Sequence, residues 1–258
     1  MTLQENIQQK STSTNSIIDV RNLSFAYNRD NPIFEQINLQ INSGEILGIA
    51  GESGIGKTTF AYILKGIIPL AIKGTYYSGE VQIDGHLVHK SKLADLAPSI
   101  GMVFQDLNAQ LFSNTVLEEV EFGLHNLKLD SQRAITALQE LNILDLKDRI
   151  PMNLSAGQKQ RVILASVIAL QPKILILDEP SIHLDYKNKI SLCKWLYKLH
   201  QQKQMTILIA SNDPWLIGNL CQEILYIQDT KITRLHKSEL MAKQPNWMWK
   251  YAQKEKNG

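Results

Sequence analysis

Long apolar runs are missing from this sequence. The longest candidate, VILASVIAL from Val162 to Leu170, is about half the ~18 residues that a membrane-crossing helix needs. Any membrane role is therefore expected to come through a partner. Cysteine is scarce: Cys193 and Cys221 both sit in apolar contexts with no metal-ligand spacing. That excludes a disulfide framework and reads as reduced core thiols of an intracellular protein. An excess of one charge is lacking too. Lys and Arg total 27 against 25 Asp and Glu, a formal net charge of +2, which leaves no broad basic face for nucleic acid. The N-terminal MTLQENIQQKSTSTNS has no apolar core and no cleavage signature, so it is not a secretory signal. Residues 1–16 are expected to be a disordered polar tail.

What is present suffices for a core. Hydrophobic residues make up 44% of 258, enough for one large domain or two small ones. IIDVRNLSFAY, from Ile17, alternates in places like a strand, and Asn38–Ile41 and Glu45–Ala50 bracket the turn Asn42-Ser43-Gly44. Thr58–Gly66 reads as a short helix ending at glycine, and Asp84-Gly85 marks a hairpin between Glu80–Ile83 and His86–Val88. Ile100–Phe104 is a further apolar strand. Thr115–Leu127, Ser131–Leu141 and Ala156–Leu170 carry apolar residues at spacings of three and four. Strands return at Ile174–Leu177, Met205–Ile209, Ile224–Ile227 and Ile232–Leu235, with a helix from Lys187 to His200 between the first two. This alternation predicts an α/β fold: a mostly parallel sheet wrapped by helices, with a helical subdomain inserted over about 106–170. No internal repeat is visible.

Directly after the strand EILGIA comes GESGIGKTT, Gly51 to Thr59. It fits G-x-x-x-x-G-K-[ST] through Gly51, Gly56, Lys57 and Thr58, between a strand and a helix as the mechanism requires. The glycines let the backbone around Glu52, Ser53 and Gly54 curl so that successive N–H groups point at one anion. The helix starting at Thr58-Thr59 adds its positive dipole end. Lys57 would reach the β- and γ-phosphates and Thr58 would bind Mg²⁺. A second element, KILILDEP, is a largely apolar strand ending in two acids. Asp178 can hold Mg²⁺ through water, and Glu179 can orient and deprotonate an attacking water.

With a third element, NLSAGQKQRV from Asn153 to Val162, the chain resembles the ATP-binding-cassette ATPases from Ile17 to about Leu235. The resemblance implies a P-loop core with an N-terminal antiparallel β subdomain, an ATPase domain over 17–240 and a C-terminal extension over 241–258. LSAGQ looks like the family's signature, with Ala156 in place of a glycine. Ser155 would cap a helix, Gly157 leaves room for close approach, and Gln158 completes the run. The family uses that helix end to hold the γ-phosphate of ATP bound to an opposite subunit. The resemblance further implies that Tyr27 stacks on adenine, that Gln105 touches Mg²⁺ and senses the γ-phosphate, and that Asp185 lies in a loop crossing a dimer interface. VFQDLNAQLFSNTVLEEVEFG, Val103 to Gly123, looks like the energy-coupling factor ATPases, with Leu107 replacing a usual proline. These work in pairs at the cytoplasmic face of the membrane. They drive a transmembrane coupling protein and a small substrate-binding membrane protein that imports vitamins or metal ions.

The family's switch strand normally ends in T-H-D; this chain has Ser211-Asn212-Asp213. Asn212 stands where a histidine would donate to the γ-phosphate. Its amide can still donate, but it is shorter and carries no proton or charge. Loss of such a donor typically costs about 10²–10³ in rate. A weakened own site and a heterodimer are expected, the alternative being that asparagine suffices. His183 reads as an interface side chain or a partial stand-in for the missing histidine. His86 and His89, spaced H-x-x-H without a carboxylate cluster, read as no metal site. Trp247, Trp249 and Tyr251 near the C-terminus either pack on the domain or contact a partner. The leading expectation is an importer motor. A soluble ATPase and a largely non-hydrolytic regulatory subunit are the competing readings.

Overall fold

The computed structural model describes residues 16–182 and 184–243. Residues 1–15 of the expected N-terminal tail, His183 and the aromatic C-terminal residues Trp247, Trp249 and Tyr251 lie outside the described residues, while Ser16, the last residue of that expected tail, already belongs to the first strand. Chain order begins with β1 (Ser16–Asn28), β2 (Asn31–Asn42), β3 (Ile46–Ala50), α1 (Lys57–Lys65), α2 (Ile67–Leu70), β4 (Tyr76–Ile83), β5 (His86–Leu87), α3 (Leu93–Leu96) and β6 (Ile100–Val103). The helical stretch follows as α4 (Val116–Asn126), α5 (Gln132–Glu140) and α6 (Ala156–Ala169). The remainder is β7 (Ile174–Asp178), α7 (Tyr186–Lys203), β8 (Thr206–Ala210), α8 (Pro214–Leu220), β9 (Glu223–Gln228), β10 (Lys231–His236) and α9 (Lys237–Lys243).

Two sheets form. The first is antiparallel, in the order β2-β1-β4-β5, and the second runs β10-β9-β3-β8-β7-β6. Within the second, β9, β3, β8, β7 and β6 pair in parallel and only β10 joins antiparallel. Covering both faces explains why its strands are continuous apolar runs rather than alternating ones. Successive side chains point to opposite faces. Leu47, Ile49, Ile174, Ile176 and Leu208 therefore enter one core, against α1 and the antiparallel sheet. Ala50, Leu175, Leu177, Ile207 and Ile209 enter the other, against α4, α5, α6, α7 and α8. Each fully buried Leu or Ile side chain contributes about 1.5–3 kcal/mol.

The helices start where capping chemistry lets them. Thr115 and Ser155 each accept a hydrogen bond from the backbone N–H three residues on, and Glu118 and Gln158 return the bond. α1 stops at Gly66, left-handed at φ 82, whose N–H donates to Ile63 O. α6 lies close on the sheet edge: a Cβ at Gly101 would come 2.3 Å from Val167 Cγ1. Several elements differ from the sequence reading: β4 begins at Tyr76 rather than Glu80, and α2, α3 and α9 are not among the expected elements. β2 begins at Asn31 rather than Asn38, because slips in its pairing with β1 between Val20 and Ala26 break the alternation a strand normally shows. α8 is not among the expected elements; it starts on Pro214, whose fixed φ suits a first helical residue, with Asp213 as its cap.

Candidate functional site

β3 ends at Ala50, and the chain curls through 51–56 before entering α1. Gly56, at φ 116, is the N-cap of α1; no side chain caps this start and no acid occupies the first turn. A Cβ at Gly56 would lie 2.6 Å from Ile33 Cγ2 and one at Gly51 2.7 Å from Ile227 O, so the loop is pressed between β2 and β9. Glu52, Ser53 and Gly54 form its exposed rim. The Lys57 side chain folds back over it, Nζ donating to Gly51 O at 3.2 Å and Glu52 O at 3.1 Å. Burial pulls the Lys57 pKa down, against the pull of Glu179 and Asp178 in the other direction. An ammonium among curled backbone and an uncapped helix start is a fit for a polyphosphate anion.

Asp178, the last residue of β7, is 1% exposed, and its Oδ1 accepts from Thr58 Oγ1 at 3.1 Å. A hydroxyl and a carboxylate oxygen side by side are hard donors of the kind Mg²⁺ takes. Glu179 follows at φ 46, in the left-handed region that a non-glycine residue occupies only when its surroundings impose it. Those surroundings are visible. Its N–H donates to Ala210 O at 2.7 Å, and its carboxylate accepts from Ser211 Oγ at 3.0 Å and from the Asn212 N–H at 3.2 and 3.3 Å. The Asp178 and Glu179 carboxyls are both raised in pKa, chiefly by burial. Lys57 works against the rise at both, aided by Thr58 at Asp178 and by Ser211 and Asn212 at Glu179. Asn212 Oδ1 is buried with no hydrogen-bond partner among the described residues. Tyr27 is 40% exposed, its OH 3.1 Å from Thr59 Oγ1 and its ring edge-on to Phe25 at 4.9 Å.

The LSAGQ stretch lies at the start of α6. Ser155 and Ala156 are exposed, Gly157 and Gln158 half-buried. A Cβ at Gly157 would stand 3.3 Å from Asn188 Cγ, so this helix start is packed close on α7. Asp185 caps α7, its Oδ1 accepting from the Asn188 N–H at 2.8 Å. The fold thus brings Lys57, Thr58, Asp178, Glu179 and Asn212 together. Gln105 stands exposed in the loop after β6 and joins none of the hydrogen bonds described for that group. Ser155–Gln158 and Asp185 likewise share no described hydrogen bond with it. Two residues escape the sequence reading. Ser211 enters it only as the neighbour of Asn212, yet it holds Glu179. Gln160 is hidden inside an apolar helical pattern, yet its Nε2 donates to the Pro180 carbonyl at 2.6 Å, tying α6 to the turn after Glu179.

A family model described as ABC transporter matches residues 34–182. A putative ABC transporter ATP-binding protein of Pyrococcus abyssi is 38% identical over 203 residues, 77% of this chain and 72% of the relative. The energy-coupling factor transporter ATP-binding protein EcfA1 of Oenococcus oeni is 34% identical over 239 residues, 88% of this chain and 84% of the relative. Among solved structures, cbiO1 from Clostridium perfringens, described as part of the ABC transporter complex cbiONQ, superposes with a TM-score of 0.77 at 32% identity. That alignment covers 89% of this chain and 92% of cbiO1. A phosphate loop, two acids at the end of the neighbouring strand and an LSAGQ helix, met in one chain with these likenesses, place it in the ABC transporter family as an ATP-binding ATPase similar to the energy-coupling factor ATPases.

Proposed function

We propose that this chain is the ATP-hydrolysing motor subunit of an energy-coupling factor importer. It works at the cytoplasmic face of the membrane and is paired with a second, different ATPase subunit. The observation that carries the reading is the carboxylate of Glu179, held by Ser211 and the Asn212 N–H beside the Lys57–Thr58–Asp178 group. In this reading Tyr27 stacks on adenine. The backbone of Gly51–Gly56, with Lys57, Thr58 and Thr59, binds the phosphates. Glu179 positions a water and takes its proton as the water attacks the γ-phosphate, whose bond to the β–γ bridging oxygen breaks so that ADP and phosphate leave. Mg²⁺, held through Thr58, Asp178 and Gln105, would neutralise charge on the phosphates.

Two surfaces support the pairings. The start of α6, with Ser155 and Ala156 exposed and Gly157 and Gln158 half-buried, shares no described hydrogen bond with the Lys57 group and suits the γ-phosphate of a nucleotide on a second ATPase subunit. Asp185 lies in the loop that meets that subunit. Phe112 and Phe122, 62% and 50% exposed, pack edge-to-face at 4.7 Å. Ile150 and Met152 are also exposed, in the segment whose Arg149 carbonyl accepts from the Val116 N–H at the start of α4. Such apolar surface suits a transmembrane coupling protein, itself joined to a substrate-binding membrane protein.

Asn212 sets the tempo of the chain's own site. Its carboxamide is shorter than a histidine and carries no proton or charge, and losing a donor aimed at transition-state charge typically costs about 10²–10³ in rate. The own site therefore turns over slowly, while Ser155–Gln158 still completes a faster site on the second subunit. ATP hydrolysis by the complex retained on purification tests this, comparing wild type with Glu179→Gln and Asn212→His. The reading expects Asn212→His to raise turnover several-fold, and Glu179→Gln to abolish the part contributed by this chain's own site. Unchanged turnover in Asn212→His would show that asparagine is an adequate switch and that the two sites are alike.

A further inference from the structure

Lys189 is a charged side chain in a place where charge is costly. It lies in the first turns of α7, where its N–H donates to Asp185 O at 2.9 Å, and its side chain is only 9% exposed. Its Nζ is 3.0 Å from Oδ2 of Asp213, which is fully buried. The other Asp213 oxygen accepts from the Trp215 and Leu216 N–H groups at 3.0 and 3.2 Å, which caps α8. Replacing a buried pair by apolar residues is often neutral or favourable for stability, so stability alone is a weak reason for this one. What the pair touches gives a better reason. The Asp213 N–H donates to Ser211 Oγ at 3.1 Å, and that hydroxyl in turn donates to Glu179 Oε2 at 3.0 Å. Between them, Asn212 places its own N–H on the same carboxylate. The turn 211–213 is thus a bracket with two donors on Glu179 and an ionic anchor on α7.

We propose that Lys189 and Asp213 are positioning residues for hydrolysis: their ion pair clamps the 211–213 turn to α7 and so fixes the carboxylate of Glu179. The proposal rests on the reading of Glu179 as the base. Neither residue touches nucleotide; both act through Ser211 and the Asn212 backbone. A carboxylate released from its bracket would be misplaced by an ångström or less, the scale at which rates fall by ten- to about a hundredfold without loss of substrate binding. The anchor also joins Glu179 to the helix that Asp185 caps, so a shift of that helix start would be felt at the carboxylate.

The test is steady-state ATP hydrolysis and fluorescent-nucleotide binding by the full chain in its purified complex, with the acid that the second ATPase subunit carries at its own strand end changed to the amide so that only this chain's site turns over, for Lys189→Met, Lys189→Arg, Lys189→Met with Asp213→Asn, and Glu179→Gln. Lys189→Met should lower kcat at least about tenfold while KM and nucleotide affinity stay within about twofold, and Lys189→Arg should restore most of the rate. Lys189→Met alone leaves a buried unpaired carboxylate and is at risk of not folding. The double variant removes both charges, while the carboxamide oxygen introduced by Asp213→Asn still caps α8, so it should fold and show the same loss of kcat. Wild-type kcat in the folded double variant, with Glu179→Gln inactive, overturns the clamp and leaves Glu179 as the base. A fall in nucleotide affinity matching the fall in rate also overturns it, by making the pair a general support of the fold. If Glu179→Gln retains full turnover, the reading of Glu179 itself fails, and the clamp with it.

Discussion

The starts of α1 and α6 are built for opposite situations. α1 begins at a left-handed glycine with no capping side chain, and its first residue, Lys57, is buried with its ammonium turned back onto the loop. α6 begins with a full capping box: the Gln158 N–H donates to Ser155 Oγ at 3.4 Å, and Gln158 Oε1 accepts from the Ser155 N–H at 3.0 Å. Yet Ser155 and Ala156 stand in solvent. A helix start without a cap is an open request for an anion, and here the request is made beside the folded-back ammonium of Lys57. A capped start is content alone and can meet an anion only when one is brought to it from outside. The difference teaches that this chain has one uncapped helix start lined by its own lysine and one capped start that shares no described hydrogen bond with it, which is the division the proposed pairing of two subunits needs.

Breaking the α1 side should have the largest effect. Lys57→Ala removes the side-chain cation of the cradle, and a charge-assisted contact with phosphate is about twice as strong as a neutral one. Nucleotide affinity is expected to fall at least about a hundredfold, roughly 2.7 kcal/mol, measured by titration of a fluorescent nucleotide analogue. Binding preserved within tenfold would mean that backbone N–H groups alone carry the phosphates. Breaking the α6 side should leave the chain's own nucleotide binding intact. Ser155→Ala removes a cap worth about 1 kcal/mol, so a melt should fall by a few degrees. If the proposed pairing holds, turnover of the assembled complex should fall about tenfold more than stability explains, since the hydroxyl would there face the second subunit's nucleotide. If Ser155→Ala weakens the chain's own nucleotide binding as Lys57→Ala does, the two starts serve one pocket and the contrast is lost.

How far this contrast can be seen in the sequence follows from where its parts lie along the chain. The α1 cradle is one uninterrupted run, GESGIGKTT, between a strand and a helix, so spacing alone exposes it. The strands of the parallel sheet are as plain, because burial on both faces leaves runs such as ILIL of β7 with no polar interruption. The α6 cap is legible for the same local reason, Ser155 and Gln158 being three apart. What joins the regions is not local. Ser211 Oγ reaches Glu179 across 32 positions and Gln160 reaches Pro180 across 20, and neither leaves a period or a motif. Asn212 is legible as an oddity, but its backbone N–H, rather than its side chain, makes the described bonds to Glu179, and a backbone role is invisible in residue type. Lys189 reads from sequence as one more charge on a helix, and only its burial against Asp213 marks it out.

The smallest expected effect sharpens the contrast from the side of stability. Filling the cradle's edge with carboxylates has a cost that the capped α6 start avoids. Burial holds the Glu179 carboxyl above its ordinary pKa, despite Lys57, Ser211 and Asn212. Below the ordinary glutamate value both folded and unfolded chains carry the proton, and the favourable contribution of the buried acid is fully present. As pH rises through the raised folded value that contribution is lost, since the folded state must then ionise a buried group. Glu179→Gln keeps an oxygen for Ser211 Oγ and the Asn212 N–H while removing the charge. Without nucleotide, it should therefore melt about 1–3 °C above wild type near neutral pH, the scale of a ΔΔG of about 1 kcal/mol or less in a chain of this size. The gap should close as the pH is lowered towards the ordinary glutamate value. A lower melting temperature for Glu179→Gln at neutral pH would mean that attraction to Lys57 outweighs burial. The carboxylate would then stabilise the empty cradle, rather than being a charge that the fold tolerates for the sake of the reaction.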